Sequence, residues 1–297
     1  MPPRAAPRAA LITGATGFIG RHLARRLLQD GWRVEAVVRP GSDPDRLPKG
    51  TAIHRHDKTT QGLIDILGAA RPGVVFHLAS LFRGEHAPAD IEPLVQSNVL
   101  FGLQLLEAMA AHGVSLLVNA GTSWQHYHDE PYRPVNLYAA TKQAFEDILL
   151  YYADAKNIRA ITLKLFDTYG PEDARPKLFS SLARARTDSV AMSPGRQKID
   201  LVYIDDVVDA FMLAARRLLA GKARKPESYA VSSGKPIELR KLVELYQKVT
   251  ARPLRIKWGG RPYRDREVFF PWKKGRRLPG WRPKVGLADG IQRTLTF

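Results

Sequence analysis

Tyr138 and Lys142 stand four residues apart in the run Tyr138-Ala139-Ala140-Thr141-Lys142. On a helix that spacing puts the phenol and the ammonium on one face. A free tyrosine has a pKa of about 10 and is a poor acid or base at neutrality. A neighbouring ammonium favours the phenolate and lowers that value. The pair is therefore expected to act as a general acid–base group. Ser123 follows the apolar run 115–120, just beyond an expected strand end. Parallel-sheet enzymes place their chemistry there. Its hydroxyl can polarise a carbonyl or an alkoxide while Tyr138 moves the proton.

A second constellation lies near the start of the chain. The first apolar run ends in Thr13-Gly14-Ala15-Thr16-Gly17-Phe18-Ile19-Gly20, with glycines spaced G-x-x-G-x-x-G. Gly14 permits a tight turn, Gly17 lets the backbone approach a pyrophosphate, and Gly20 lets helix and strand pack closely. A helix beginning at Phe18 aims its free N–H groups and positive dipole end at the phosphates. Thr16, Phe18 and Ile19 complete that cradle. The expected cofactor is a nicotinamide dinucleotide, and Lys142 can hydrogen-bond its ribose. The second strand ends in Val37-Val38-Arg39. An acidic residue there holds the ribose 2′-hydroxyl of NAD, whereas an arginine suits the 2′-phosphate, so NADP(H) is favoured over NAD(H). Asp57 and Lys58, after the third strand, fall beside the adenine.

These residues need a scaffold, and the first half of the chain supplies its pattern. Strands are expected at 9–13, 33–38, 52–56, 73–78, 115–120 and 159–165. Helices are expected at 18–30, 61–69, 91–112 and 137–156. The alternation predicts a doubly wound α/β fold of the Rossmann type, with a parallel sheet, helices on both faces and right-handed crossovers. The pattern loosens after Gly170, leaving helices at 177–187, 204–219 and 237–248 and a loop-rich stretch at 252–283. We expect a frayed tail at 1–8, a dinucleotide-binding domain at 9–166, and a smaller, partly interleaved substrate-binding region at 167–297.

The chain resembles the extended short-chain dehydrogenase/reductases, in the NAD-dependent epimerase/dehydratase group that acts on nucleotide sugars. TGATGFIG at 13–20 is similar to the cofactor turn of that group. His77-Leu78-Ala79-Ser80 resembles its H-L-A-A strand end, and Asn98 matches an asparagine usual in the following helix. The resemblance thereby implies cofactor contacts for Leu78, Ala79, Ser80 and Asn98. SWQHY at 123–127 aligns with S-x-x-V-Y, which puts Ser123 at the catalytic Ser/Thr position. Tyr138 and Lys142 match the group's Tyr and Lys. The segment 165–171, LFDTYGP, resembles R-x-x-N-V-Y-G-P with Asp167 for the usual Asn. The segment 199–206, IDLVYIDD, resembles R-D-F-V-Y-V-D-D with Ile199 for Arg, so Lys198 or Arg196 is left to compensate. Arg264-Asp265-Arg266-Glu267 resembles R-x-G-D/E, whose arginine grips the diphosphate of the sugar nucleotide. LPGWRPK at 278–284 resembles the closing L-G-W-x-P-K. The substrate contacts so implied are Trp124, Gln125, Asp167, Lys198 and Arg264.

Composition narrows the partners. The chain has 297 residues, a net charge of +17 and no cysteine. Nucleic acid could account for the charge, but the basic residues are scattered and no aromatic-basic recognition motif is present. An anionic small substrate uses part of it. No run of 18 apolar residues is found and no signal-peptide core follows the basic start. A cytoplasmic protein without membrane or nucleic-acid partners is expected, and the absence of thiols fits a reducing compartment. His126, Tyr127, His128, Asp129 and Glu130 cluster, but H-x-H on a loop lacks the other spaced ligands of a metal site. A substrate or rim contact is the better use, and no metal is expected. Trp258, Trp272 and Trp281 are expected in the core rather than on a nucleobase. The helices at 91–112 and 137–156 are apolar over much of their surface. In the family such a pair forms a four-helix interface, which implies a homodimer.

Three reactions share this scaffold: 4-epimerisation, 4,6-dehydration and reduction of a keto-sugar. Family dehydratases carry an acid pair directly after the Ser/Thr. Trp124 and Gln125 stand there, and neither can protonate a leaving hydroxyl. Epimerases keep a bound NAD, whereas Arg39 argues for NADP and net reduction. The pieces PYRDREV and QKIDLVYIDD also resemble reductases of CDP-linked 4-keto-6-deoxy sugars, of the CDP-abequose and CDP-paratose synthase type. The expectation is NADPH-dependent reduction of the 4-keto group of a nucleotide-linked 6-deoxy sugar. The alternatives are a 4-epimerase or a non-catalytic NAD(P)-binding or RNA-binding scaffold. The complete Ser123, Tyr138, Lys142 set argues against the scaffold.

Overall fold

A computed structural model describes residues 8–185 and 187–295. Residues 1–7 of the expected tail, and Arg186 within the expected helix at 177–187, lie outside the described residues. The first half alternates as read. It runs β1 (Ala9–Thr13), α1 (Phe18–Gln29), β2 (Arg33–Val38), β3 (Thr51–Arg55), α2 (Thr60–Ala70) and β4 (Val74–His77). There follow α3 (Ile91–Val95), α4 (Phe101–Ala111), β5 (Leu116–Thr122), α5 (Leu137–Lys156) and β6 (Arg159–Leu165). β1 and β4 are buried at every position, as expected of parallel strands covered on both faces.

The second half carries β7 (Asp167–Tyr169), α6 (Leu178–Arg184), β8 (Val190–Met192), β9 (Lys198–Ile199) and β10 (Leu201–Tyr203). Then come α7 (Ile204–Leu219), β11 (Glu227–Val231), β12 (Ile237–Glu238), α8 (Leu239–Thr250), β13 (Ile256–Trp258) and α9 (Leu287–Leu295). The main sheet is all-parallel, in the order β11-β6-β5-β4-β1-β2-β3. Strand order reverses between β1 and β4, and a crevice opens beyond their carboxyl ends at such a reversal. One core, with Leu23, Leu27, Phe76 and Phe211, covers one face of the sheet. The other, with Leu63, Leu105, Phe145 and Leu149, covers the opposite face.

Three departures from the sequence reading have physical causes. The expected single helix over 91–112 contains a π turn at Gln96–Leu100 between α3 and α4. That widened turn carries Asn98, whose amide group bonds Leu81 and Thr141 away from its own helix. The helix expected from 237 starts at Leu239, because Ile237 and Glu238 pair with β9. Within the expected loop 252–283, residues 256–258 pair with β8. The C-terminal segment is fixed to α7 by Asp206. Its carboxylate accepts the Lys284 and Val285 amides (2.9 and 3.0 Å), and its carbonyl accepts Trp281 Nε1 (2.9 Å).

Among the described residues one helical stretch, Pro88–Ala111, is long and apolar enough by length and mean hydropathy to cross a membrane. Its inner side packs on α2 and α5 as a layer of this fold. Ile91, Val95 and Leu100 on this stretch, and Leu150 and Tyr151 on α5, remain exposed. Tyr152, by contrast, is buried and donates to Glu107 Oε2 (2.6 Å).

Candidate active site

A cleft of about 1240 Å³ lies beyond the carboxyl ends of the strands. Gly14, Gly17, Phe18, Ile19 and Gly20 form its floor at the end of β1. Gly14 has φ +70°, and a Cβ there would meet the Ala79 backbone nitrogen at 2.6 Å. A Cβ on Gly20 would collide with the Gly14 carbonyl oxygen. Turn, strand and helix therefore close on one another only as glycines. The end of β4 is fixed to this turn. Leu78 N donates to the Thr13 carbonyl (3.2 Å), and Ala79 N to Thr13 Oγ1 (3.3 Å).

Ser123, Tyr138 and Lys142 all line the cleft. Asn136 accepts the Ala139 amide (3.0 Å) and so caps α5 two residues before Tyr138. Lys142 is 1% exposed. Its Nζ has no hydrogen-bond partner. Burial lowers its pKa to about 8, Glu146 opposes that shift, and Lys164 adds to it. An unpaired buried ammonium is costly, and such groups mark an unfilled acceptor position. The hydroxyls of a ribose lying above the glycine turn are acceptors of that kind. The residues present thus fit a nicotinamide dinucleotide, with the turn under its pyrophosphate and Lys142 on its ribose.

The expected sign of the Tyr138 shift is corrected. Burial pushes the phenol up to about 12, with the Ser80 hydroxyl and the Arg175 charge pulling it back. Lys142 is no cause of that shift. Desolvation of the phenolate outweighs the favourable charges nearby. Tyr138 therefore holds its proton at neutral pH and stands ready as a donor.

Two other assignments are corrected. Gln125 is fully buried and is no substrate contact. The short 3₁₀ turn Ser123–Gln125 directs it inward, where its Oε1 accepts the Thr122 amide (3.0 Å). Its Nε2 donates to Gln143 (2.7 Å) and Glu146 (3.0 Å). Asn98 is likewise fully buried and does not line the cleft. It acts through others, accepting from Ser80 Oγ (3.1 Å) and the Leu81 amide (2.7 Å) and donating to Thr141 Oγ1 (3.0 Å).

The remaining cofactor candidates sit around the rim. Leu78 and Ser80 line the cleft, while Thr16, Ala79, Arg39, Asp57 and Lys58 stand outside its walls. Asp57 Oδ1 takes the amide and hydroxyl of Thr59 (both 2.8 Å), which hold its carboxyl below the usual range and lead into α2. Arg39 is exposed at the end of β2. At the other end of the cleft, Trp124, Asp167, Lys198 and Arg264 are brought together. The Arg264 guanidinium lies 5.7 Å over the Trp124 ring. Phe82 packs edge-on to Tyr138 (5.0 Å) and 5.6 Å from Trp124. His126 stacks on Trp272 at 3.8 Å, so one of the three C-terminal tryptophans is a cleft wall, while Trp281 is core.

Sequence reasoning missed two groups. Arg175, Lys177, Arg184 and Arg261 also line the cleft. Their signal was the density of cations after Gly170, where the short elements give little to show which side chains face the cleft. The second group is the buried pair Glu146 and Lys164 (2.6 Å), behind Gln125 and Lys142. Glu146 lies one turn beyond Lys142 on the same face, and Lys164 interrupts an otherwise apolar strand. Both were visible in principle.

The glycine turn at the switch point and the Tyr–Lys pair beside it define a Rossmann enzyme of the extended short-chain dehydrogenase/reductase type. Residues 10–231 match the family described as NAD dependent epimerase/dehydratase, and the chain belongs to it. It is similar to CDP-abequose synthase of Salmonella muenchen, 26% identical over 97% of each chain. It is also similar to UDP-glucose 4-epimerase of Mycolicibacterium smegmatis, 28% identical over 97% of each chain. Among solved structures, UDP-glucose 4-epimerase of Thermus thermophilus in complex with NAD superposes with a TM-score of 0.81, at 26% identity and 97% coverage of both chains.

The charge on Lys142 has a consequence for stability. Its folded pKa of about 8 lies below the ordinary 10.5. The fold therefore disfavours the ammonium, fully so below about pH 8 and progressively less as pH rises toward 10.5. Replacing Lys142 with Met removes the charge and leaves no partner unpaired. Thermal unfolding is expected to show Lys142→Met more stable than wild type at pH 7, with the margin narrowing by about pH 10, while binding of the nicotinamide dinucleotide weakens. Equal unfolding temperatures at pH 7 would show that Nζ is solvated and that this account of the site is wrong.

Proposed function

We propose that the protein reduces the 4-keto group of a nucleotide-linked 6-deoxy-4-keto sugar with NADPH, as a cytoplasmic homodimer. The observation that carries the direction of reaction is Arg39. Its side chain stands exposed at the carboxyl end of β2, and no ion pair or side-chain hydrogen bond engages it among the described residues. An arginine there suits a 2′-phosphate, and NADP serves net reduction. The residues after Ser123 support the same reading. Trp124 is no acid, and Gln125 is turned away into the protein, so no side chain there protonates a leaving hydroxyl as a dehydration requires.

In this mechanism NADPH, when bound, supplies the hydride. The rest is the work of the chain. Ser123 donates a hydrogen bond to the ketone oxygen and holds the carbonyl against Tyr138. Tyr138, kept protonated by burial, delivers its proton to the oxygen as the alkoxide forms. Lys142 orients the ribose, and the Ser80 hydroxyl and the Arg175 charge favour the phenolate left behind. Arg264, with Lys198 and Arg261, grips the diphosphate, while Arg175 lies over Phe18 and Lys177 over Phe82, nearer the Tyr138 phenol. Binding energy at the diphosphate end fixes the sugar at the other. The exposed apolar residues of α3, the π turn and α5 suit burial against a second copy.

A second reading is a nucleotide-sugar 4-epimerase, favoured by the 28% identity to a UDP-glucose 4-epimerase. The two separate in one assay. Enzyme, NADPH and 4-keto-6-deoxy sugars linked to CDP, dTDP, UDP or GDP are mixed, and absorbance of the reduced nicotinamide is followed. Stoichiometric loss with one of them is expected. No loss with any, together with interconversion of saturated nucleotide sugars, means an epimerase. The cofactor assignment has its own check. Arg39→Asp should reverse a preference for NADP over NAD in binding titrations, and unchanged NADP affinity removes Arg39 from the site.

A further inference from the structure

The Arg264 segment does more than border the cleft. The turn 264–267 closes on itself, with Glu267 N donating to the Arg264 carbonyl (3.1 Å) and Arg264 N to Glu267 Oε2 (3.4 Å). From this turn Arg266 points the other way. Its Nε donates to the Val135 carbonyl (3.0 Å), and a terminal nitrogen donates to the Pro134 carbonyl (2.8 Å). The guanidinium also lies 4.6 Å over the Tyr127 ring. Glycine stands at this position in the R-x-G-D/E signature that the segment resembles, and glycine has no side chain with which to make these bonds.

The site Arg266 holds is the join between the two catalytic elements. Val135 N donates to the Trp124 carbonyl (2.8 Å), next to Ser123. Arg133 N donates to the Gln125 carbonyl (2.9 Å), and Asn136, next after Val135, caps the helix of Tyr138. The loop between Ser123 and Tyr138 is thus a closed unit, and Arg266 fastens it where it meets α5. Further bonds run beside it. Tyr127 Oη donates to the Glu267 carbonyl (3.4 Å), and Lys273 N donates to Asp129 Oδ1 (2.8 Å). Two residues upstream, Arg264 lies over the Trp124 ring.

We propose that Arg266 is a positioning residue that ties the diphosphate-gripping segment to the Ser123–Tyr138 loop, so that substrate held at Arg264 fixes the catalytic hydroxyls. The clause about diphosphate rests on the function proposed above, whereas the strap itself is geometry. Arg266 touches neither substrate nor cofactor in this scheme. Its loss should leave NADPH affinity and KM near wild type and lower kcat, because the sugar still binds but the hydroxyls wander. A charge-assisted bond of this kind is worth about tenfold in an equilibrium.

The test uses the NADP-bound protein and two variants, Arg266→Met and Arg266→Lys. Amide hydrogen exchange at residues 133–138 is expected to be about tenfold faster in Arg266→Met, with β1 and β4 unchanged. Its kcat is expected to fall by a similar factor at constant KM and constant NADPH affinity. Arg266→Lys, whose single ammonium can still donate to the two carbonyls, should recover most of both. Unchanged exchange at 133–138 overturns the proposal, as does a loss confined to KM, which would make Arg266 part of the grip itself. Should wild type reduce none of the keto-sugar nucleotides, the proposed reaction falls and the exchange arm still decides the strap.

Discussion

The ammonium of Lys142 is the constraint around which the rest of the molecule is arranged. It is buried beneath the point where strand order reverses, with no acceptor for its protons. Nothing in the hydrophobic economy of a fold recommends such a group. Its presence makes sense where a ligand completes it, and the glycine turn sets the place of that ligand. Gly14 and Gly20 let β1, α1 and the end of β4 meet with no side chain between them. The same arrangement explains Asn98. Its π turn holds Ser80 and Leu81 on one side and Thr141, the neighbour of Lys142, on the other.

A second consequence follows from depth. The two partners of the acid–base pair are shifted in opposite directions by the same cause. Burial lowers Lys142 to about 8 and raises Tyr138 to about 12, each toward its neutral form. Glu146, which accepts from Lys164 and Gln125, opposes the first shift from behind. The site is thereby tuned toward a phenol that gives a proton rather than one that takes it.

Much of this was legible in the residues. Apolar runs marked the buried strands, because a parallel strand covered on both faces has no polar side to show. Four-residue spacing placed Tyr138 over Lys142, because α5 is a regular helix. What failed to show was whatever depends on irregular backbone. Gln125 follows Ser123 by two positions, and its direction turns on a single 3₁₀ turn. Asn98 reads as a helix residue, yet its orientation comes from the π turn. The cations at Arg175, Lys177 and Arg184 sit just before α6 or at its end, and a helix of 7 residues has too little period to show which side chains face the cleft. The sign of the Tyr138 shift needed burial, which spacing alone does not report. Arg266 is an ordinary surface arginine until its two carbonyl partners, more than a hundred residues earlier, are in place.

The central claim is that the Tyr138 hydroxyl delivers the proton while Lys142 and the glycine turn hold the cofactor. Turnover of Tyr138→Phe on its nucleotide-sugar substrate, with nicotinamide-cofactor affinity measured on the same protein, tests it most directly. The account predicts turnover lower by about two to four orders of magnitude with cofactor affinity unchanged, since only a hydroxyl is removed. Near-normal turnover in that variant would contradict it.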